Sequence, residues 1–267
     1  MGWKVDRLRV LFIGDIVGRP GRRAIRKLLP AACEEYRPDF VIANGENAAG
    51  GLGITPDIAT KLLDSEIDVL TSGNHVWNKK EIYDYLNSTQ RLIRPANYPG
   101  NPPGRGYGIF EARKGVSLGI INLEGRIFMK HLECPFRTVD KIVSELRKET
   151  SCIIVDFHAE ATSEKQALGW YLDGRVSVIV GTHTHVPTAD ERILPHGTAY
   201  ITDVGMTGAF ESVIGFQYEI VIERLLSQLP ATFKVAKKNI RMQAVLVDID
   251  TKSGKALSIK RIEKHID

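Results

Sequence analysis

The sequence predicts an α/β fold in which helices and mixed β-sheets stack as a layered sandwich. Two observations support this fold class. Short apolar runs alternate with helical stretches in the first half of the chain, an order typical of parallel strands joined by helices. The second half adds further apolar runs and ends in a hairpin pattern, which indicates a second sheet or a mixed one.

The first half contains three predicted strands and three predicted helices. The strands are expected at residues 9–13, 40–43 and 68–71. The helices are expected at residues 22–36, from residue 55 onward, and at residues 80–86. Thr55 suits the N-cap of the second helix and Pro56 its first position, because that position needs no backbone N–H.

The second half begins with residues 94–108, whose four prolines and four glycines predict a loop or a crossing between sheets. Further strands are expected at residues 117–122, 151–157, 176–180 and 199–203, and a helix at residues 138–149. Residues 242–262 predict a hairpin, because two alternating runs flank a turn-rich segment. No repeat or linker interrupts the chain, so we expect a single domain over residues 1–267.

Composition excludes several classes of protein. Hydrophobic residues make up 43% and charged residues 25%, which is ordinary for a globular chain. No apolar run reaches the roughly 18 residues of a membrane span, and the three cysteines form no CxxC pair. We therefore expect a cytoplasmic protein with reduced thiols and no membrane partner. The net charge of +4 is too small to make nucleic acid the expected main partner, and homo-oligomer formation stays open.

Polar side chains follow the predicted strands, at the points where ligands bind in open α/β sheets. The eight candidates, in chain order, are Asp15, Glu46, Asn47, Asn74, His75, His158, His183 and His185. If the strands are parallel, these side chains gather at one edge of the sheet. Each residue alone could be a turn residue or a core histidine, but their joint occurrence at strand ends favours a common site.

This set of side chains is larger than one metal ion requires. A catalytic zinc takes about three protein ligands, whereas two ions need more ligands and a bridging group such as a carboxylate. Carboxylate, amide and imidazole groups without a thiolate favour iron, manganese or zinc over copper. The sequence therefore predicts a pair of metal ions at the strand ends.

Two further motifs carry expectations. His183 and His185 are two residues apart, and in an extended segment such neighbours point the same way, so both are expected to face the site while Thr184 turns away. Residues 18–23, with the sequence GRPGRR, precede a predicted helix. They could offer backbone N–H groups and arginines to a phosphate, or form an ordinary basic helix start.

Several stretches resemble known metallophosphoesterases. GNH (73–75) and GTHTH (181–185) are similar to two blocks of the calcineurin-like superfamily. More narrowly, the chain resembles the YmdB-like bacterial family in GDIVGRPGR (14–22), IANGENAAGGLGIT (42–55), TSGNHVW (71–77), DFHAEATSEK (156–165), GTHTHVPTAD (181–190) and ITDVGMTG (201–208). Two departures from the superfamily agree with this narrower match: no histidine follows two residues after Asp15, and Glu46 stands where an aspartate is usual.

The resemblance implies a four-layer α/β/β/α sandwich of two mixed sheets flanked by helices, with a dinuclear metal site. The first ion would be held by Asp15, Glu46, Asn47 and His185. The second would be held by Glu46, Asn74, His158 and His183, so that Glu46 bridges the two. His75 would be the proton donor.

The activity implied is hydrolysis of 2′,3′-cyclic nucleotides by in-line attack of a hydroxide between the two ions, with iron the first choice of metal and manganese or zinc the alternatives. Two other functions stay open. The same metals could serve a different phosphoester, such as a phosphoprotein or a linear diester. Alternatively, the metal site could be structural in a regulatory protein that binds RNA or another partner.

Overall fold

The computed structural model describes residues 6–266. The strands, in chain order, are β1 (Arg7–Ile13), β2 (Asp15–Ile16), β3 (Phe40–Asn44), β4 (Val69–Thr71), β5 (Tyr107–Ala112), β6 (Val116–Glu124), β7 (Cys152–His158), β8 (Val178–Thr182), β9 (Arg192–Ile193), β10 (Ala199–Ile201), β11 (Met206–Ala209), β12 (Ile240–Asp250) and β13 (Ala256–His265). The helices are α1 (Gly18–Tyr36), α2 (Pro56–Leu63), α3 (Ile82–Ser88), α4 (Pro135–Leu146), α5 (Thr162–Leu172) and α6 (Tyr218–Ser227).

These strands form two mixed sheets. The seven-stranded sheet has the order β2-β11-β12-β1-β3-β4, with β13 paired to β12. The six-stranded sheet has the order β5-β6-β7-β8-β10-β9. Strands β1, β3 and β4 are mutually parallel, as are β6, β7, β8 and β10. The parallel arrangement predicted from the alternation of strands and helices is therefore confirmed.

The core divides into three layers of buried apolar side chains. Alternate residues of β1 show this division, because Val10 and Phe12 pack between the two sheets while Leu11 and Ile13 pack toward α1, α2 and α3. On the far side, α4 and α5 cover the six-stranded sheet through residues such as Val139 and Leu168. A strand buried on both faces reads as a continuous apolar run, and residues 10–13 of β1 form such a run. The four-layer α/β/β/α sandwich is confirmed.

The C-terminal hairpin joins the first sheet and makes it mixed, because β12 lies antiparallel beside β1, with Leu246 opposite Leu11. A mixed sheet was one of the two predicted alternatives. One expectation about the sheets was wrong, since the candidate site residues follow strands of both sheets and not of one. Pairing between strands more than 200 residues apart is a tertiary choice that local patterns do not reveal.

Helix boundaries differ in one place that matters for function. Helix α1 begins at Gly18, four residues before the predicted start, so GRPGRR forms its first six residues instead of preceding it. Pro20 is tolerated there because its missing N–H falls among the unpaired groups of a helix start. The predicted cap of α2 is confirmed, since Thr55 accepts a hydrogen bond from the Ile58 N–H at 3.4 Å and Pro56 opens the helix.

Six elements escaped prediction, for identifiable reasons. Strands β2 and β9 have only two residues each. The buried face of α5 includes Glu164 and Lys165, which interrupt the apolar pattern. Helix α6 buries none of its residues, and β11 has only four. Strand β5 is a partly exposed edge strand that starts inside the segment predicted as a loop.

Among the described residues no helix has the length and apolarity to cross a membrane. The single domain over residues 1–267 stays a prediction.

Candidate metal centre

The candidate residues meet where the carboxyl ends of the two sheets come together. Asp15 lies in β2, and the loops after β3 and β4 carry Glu46, Asn47, Asn74 and His75. From the other sheet, His158 ends β7, and His183 and His185 follow β8. Hydrogen-bond distances link all eight side chains or their backbone groups into one cluster, in which the contact of Glu46 with His158 joins the two halves.

Glu46 is shared by two groups of potential metal ligands. Glu46, His158 and His183 form one group, and Asp15, Glu46 and His185 form the other. Within each group, one ligand atom per residue lies within 4.8 Å of the others. Every member is buried except His183, which is partly exposed. The geometry thus provides two adjacent ligand sets with a common carboxylate.

The orientation of His158 is set by a chain of hydrogen bonds from the protein interior. Thr182 donates its hydroxyl to Asp156 Oδ1 at 2.7 Å, so its oxygen accepts from His158 Nδ1 at 2.9 Å. The Nε2 atom of His158 is then directed at Glu46 Oε2, 3.0 Å away. Partners of this kind on the second ring nitrogen are what fix metal-binding histidines in other proteins.

The same reasoning applies to the other two histidines. His185 donates from Nδ1 to the Ile214 carbonyl at 2.9 Å, which leaves its Nε2 with the lone pair. His183 places Nε2 3.0 Å from Glu160 Oε2, which leaves its Nδ1 with the lone pair. That Nδ1 faces His158 Nε2 at 3.0 Å. Two ring nitrogens at this distance repel through their lone pairs unless a cation, either a metal ion or a proton, lies between or beside them.

The charges and the burial of these side chains also favour cation binding at this site. The pKa of Asp15 is raised to about 6 by burial, and its Oδ1 has no hydrogen-bond partner. Burial opposes the charged form of His158, but the Glu46 and Asp15 carboxylates outweigh it and raise the pKa of His158 to about 9. Burial and the nearby His158 lower the pKa of His183 to about 3, so this imidazole is neutral at pH 7. The donor set therefore fits metal ions in both groups.

Glu46 remains a carboxylate despite its complete burial. Burial disfavours the charged form, but His158 and His75 outweigh that penalty and hold the pKa of Glu46 well below its ordinary value. Space around it is also restricted, since a Cβ at Gly73 would lie 2.3 Å from Glu46 Oε2. Glycine at position 73 thus allows the backbone to approach the shared ligand.

The two asparagines differ in orientation. Asn74 turns its Oδ1 toward His158 Nε2, at 3.0 Å, as a ligand oxygen should. Asn47 instead presents Nδ2 to Glu46 and His185, both at 2.9 Å, and its Oδ1 lies 3.1 Å from His75 Nδ1. For Asn47 to bind a metal ion through Oδ1, its side-chain amide must rotate by about half a turn. The surrounding hydrogen-bond network decides between these two amide orientations.

The expectation that the His-Thr-His segment is extended was wrong, but both histidines face the candidate site as predicted. Strand β8 ends at Thr182, and His183 and His185 have φ angles of 98° and 65°, so the segment is not extended. Non-glycine residues rarely adopt this region, and such strain is concentrated at functional sites. Thr184 turns away from the cluster as expected, donating its N–H and hydroxyl to Asp203.

Asp203 anchors this strained segment through a buried ion pair. Its Oδ2 lies 2.7 Å from Lys165 Nζ, and both side chains are 1% exposed. Its Oδ1 accepts from the Gly205 N–H at 2.8 Å. The pair therefore connects α5 to the histidine segment.

Lys165→Met is expected to destabilise the protein by about 3–5 kcal/mol, because it leaves the Asp203 carboxylate buried without its cation. Lys61→Met is the matched control, since Lys61 pairs with Asp57 at the same distance of 2.7 Å but on the surface, where such pairs contribute little. Urea unfolding at pH 7 measures both. A cost for Lys165→Met no larger than that of the control would contradict this role.

Sequence reasoning missed the residues that orient the ligands. Asp156 had a visible signal, because a carboxylate inside the apolar run of β7 needs a partner. Thr182 and Glu160 had none, since neither stands out by residue type or spacing. His75 was found, and its Nδ1 lies 3.2 Å from Glu46 Oε1, while no described residue bonds its Nε2.

Known proteins are similar to this chain over nearly its whole length. A family model described as YmdB-like protein matches residues 11–262. A Bacillus subtilis (strain 168) protein named 2′,3′-cyclic-nucleotide 2′-phosphodiesterase is 50% identical over 255 residues, covering 96% of each chain. A crystal structure of a hypothetical protein from Thermus thermophilus has a TM-score of 0.91 and 42% identity, covering 97% of this chain and 100% of that one. One described as a novel phosphatase, from Mycoplasma pneumoniae, has a TM-score of 0.92 and 34% identity, covering 98% and 95%.

Proposed function

Because the chain belongs to the YmdB-like family, we propose that it is a metal-dependent phosphodiesterase that hydrolyses 2′,3′-cyclic nucleotides. The observation that carries this proposal is the pair of ligand groups sharing Glu46. The name of the half-identical Bacillus relative supports the substrate class. A cytoplasmic location stays a prediction, and the oligomeric state stays open.

The two groups define which residues would hold which ion. Asp15, Asn47 and His185 would serve the first ion, Asn74, His158 and His183 the second, and Glu46 both. When bound, such a pair supplies a Lewis acid and a water of lowered pKa. Iron is our first choice, with manganese or zinc as alternatives, because the ligands are oxygen and imidazole nitrogen without thiolate. Since Asp15 and Glu46 are the only carboxylates in the set, a surplus of positive charge remains to attract a phosphate.

His75 is placed to give a proton to the leaving oxygen. Its Nδ1 donates toward Glu46 Oε1 and Asn47 Oδ1, which fixes the ring. Its side chain is 27% exposed, whereas the side chain of Glu46 is 1% exposed. The ring thus bridges the buried cluster and the accessible side of the site, where substrate arrives. General acid catalysis of this kind contributes roughly 10²–10⁴-fold.

A side-by-side assay separates the proposed substrate from its rivals. We expect 2′,3′-cyclic AMP to be hydrolysed with a higher kcat/KM than a phosphoserine peptide or bis-nitrophenyl phosphate. Faster turnover of the peptide would identify a phosphoprotein phosphatase, and a preference for bis-nitrophenyl phosphate would favour linear diesters. Binding of metal without turnover of any of the three would favour a structural metal site.

A further inference from the structure

A basic cavity lies beside the candidate metal centre. Its volume is about 640 Å³, within the range of ligand pockets. Five cationic side chains line it: Arg19, Arg22, Arg23, Arg26 and Lys237. No acidic side chain is among its lining residues. The four arginines come from the first turns of α1, the segment that the sequence left open between a phosphate site and an ordinary helix start.

Four of these five cations lack a polar partner within the described part of the chain. Arg19, Arg23, Arg26 and Lys237 make neither an ion pair nor a side-chain hydrogen bond with any described residue. Arg22 donates to the Ala48 carbonyl. Burial, together with the charge of Arg19, lowers the pKa of Arg22. The Asp57 carboxylate offsets the pKa shift of Arg22 only in part. Four arginines held together repel one another, and an anionic ligand would relieve that repulsion.

The cavity shares a wall with the metal centre. The loop after β3 carries Glu46 and Asn47 on one side, and Gly50, three residues further, lines the cavity. Helix α1 holds this loop from the cavity side, because the Gly18 N–H donates to the Asn47 carbonyl at 2.9 Å. A ligand that crosses this short loop could therefore occupy the cavity and the metal centre at the same time. Gly50 is exposed, and a Cβ there would meet nothing within 4 Å, so no side chain covers the loop at this point.

We propose that the cavity binds the phosphodiester backbone of an RNA whose 3′ end carries the 2′,3′-cyclic phosphate. The proposal rests on the proposed function. A cyclic mononucleotide has one phosphate, which the metal centre would take, so cations further away need additional phosphates. A positively charged groove that follows the backbone is the usual device for single-stranded nucleic acid. The cations line a concave cavity, which suits a flexible chain better than a flat membrane surface.

The reaction at the RNA end is the same hydrolysis. Water adds to phosphorus, one ribose oxygen–phosphorus bond breaks, and the released oxygen takes a proton, leaving a phosphomonoester. The net charge of +4 does not oppose this reading, because net charge averages over the surface whereas binding depends on local clustering.

The test compares kcat/KM for 2′,3′-cyclic AMP with kcat/KM for a hexa-adenylate ending in a 2′,3′-cyclic phosphate. We expect the hexamer to be preferred at least tenfold at low salt, and Arg19→Ala/Arg23→Ala to remove most of that preference. In this double variant, the slope of log kcat/KM for the hexamer against log salt concentration should also become shallower by about 1.4. Each of the two lost phosphate contacts accounts for about 0.7 of that slope. Lys27→Ala/Lys148→Ala removes the same charge from residues outside the cavity and should keep the preference.

Equal kcat/KM for the two substrates, or the same loss of preference in both double variants, would overturn the proposal. If neither substrate is hydrolysed, the proposed function fails, and fluorescence anisotropy with a 3′-phosphorylated hexa-adenylate then decides the RNA site alone. Binding that weakens in Arg19→Ala/Arg23→Ala but not in the control supports the site. Equal binding of the RNA by both double variants contradicts the site. So does a result in which these arginines are needed for binding to anionic phosphatidylglycerol vesicles but not for binding to RNA.

Discussion

Glu46→Ala is expected to release both metal ions together and to abolish hydrolysis of a 2′,3′-cyclic nucleotide. Glu46 alone belongs to both ligand groups, with Oε2 3.0 Å from His158 Nε2 and Oε1 3.2 Å from His75 Nδ1. Removing its charge also removes the main negative charge next to His158, and with it the attraction that would hold two cations side by side. Elemental analysis of purified protein, alongside the cyclic-nucleotide assay, measures the effect.

Two further variants make this prediction specific. Glu46→Gln keeps the shape of the side chain, so a loss of metal in a folded Gln variant is due to the lost charge. Asp15→Ala is the matched control, because Asp15 belongs to only one group and the set of Glu46, His158 and His183 stays intact. We expect one ion to remain in Asp15→Ala. Two ions per chain in Glu46→Ala would show that this carboxylate does not bridge them.

His75→Ala is expected to lower kcat for the cyclic nucleotide by roughly 10²–10⁴-fold while the metal content stays the same. The reason is that its loss removes the donor to a poor leaving group, the ribose oxygen, and removes no member of either ligand group. Steady-state kinetics and elemental analysis on the same preparation separate these two effects.

A substrate with a better leaving group tests the acid role of His75 directly. Nitrophenolate needs little protonation, so bis-nitrophenyl phosphate should lose much less turnover than the cyclic nucleotide in His75→Ala. His75→Gln, which can donate a hydrogen bond but no proton, should behave like the Ala variant. If kcat for the cyclic nucleotide stays at the wild-type level, or both substrates lose the same factor, His75 is not the acid.

Much of the fold could be predicted because its strands are short, apolar and separated by helices. The runs that became β1, β3 and β7 are buried on both faces, so each reads as a strand without knowledge of its neighbours. The partner of β1 could not be predicted, since β12 lies more than 200 residues away. Helix α5 was missed because Lys165, a charged residue, is buried against Asp203.

The candidate site was predictable for a related reason. Polar residues that recur at or just past the ends of buried strands are not explained by packing, and Asp15, His75 and His158 all lie within four residues of such an end. The backbone at His183 and His185 could not be anticipated, because positive φ in non-glycine residues depends on anchors such as Asp203. The amide orientation of Asn47 depends likewise on neighbours that only the folded chain brings together.

The most direct test of the central claim is a metal titration of activity. Metal-depleted protein is titrated with Mn²⁺ while hydrolysis of 2′,3′-cyclic AMP is followed. The shared position of Glu46 predicts that activity appears with the second ion and saturates at two ions per chain. Full activity at one ion per chain, or no hydrolysis with two ions bound, would contradict a dinuclear phosphodiesterase.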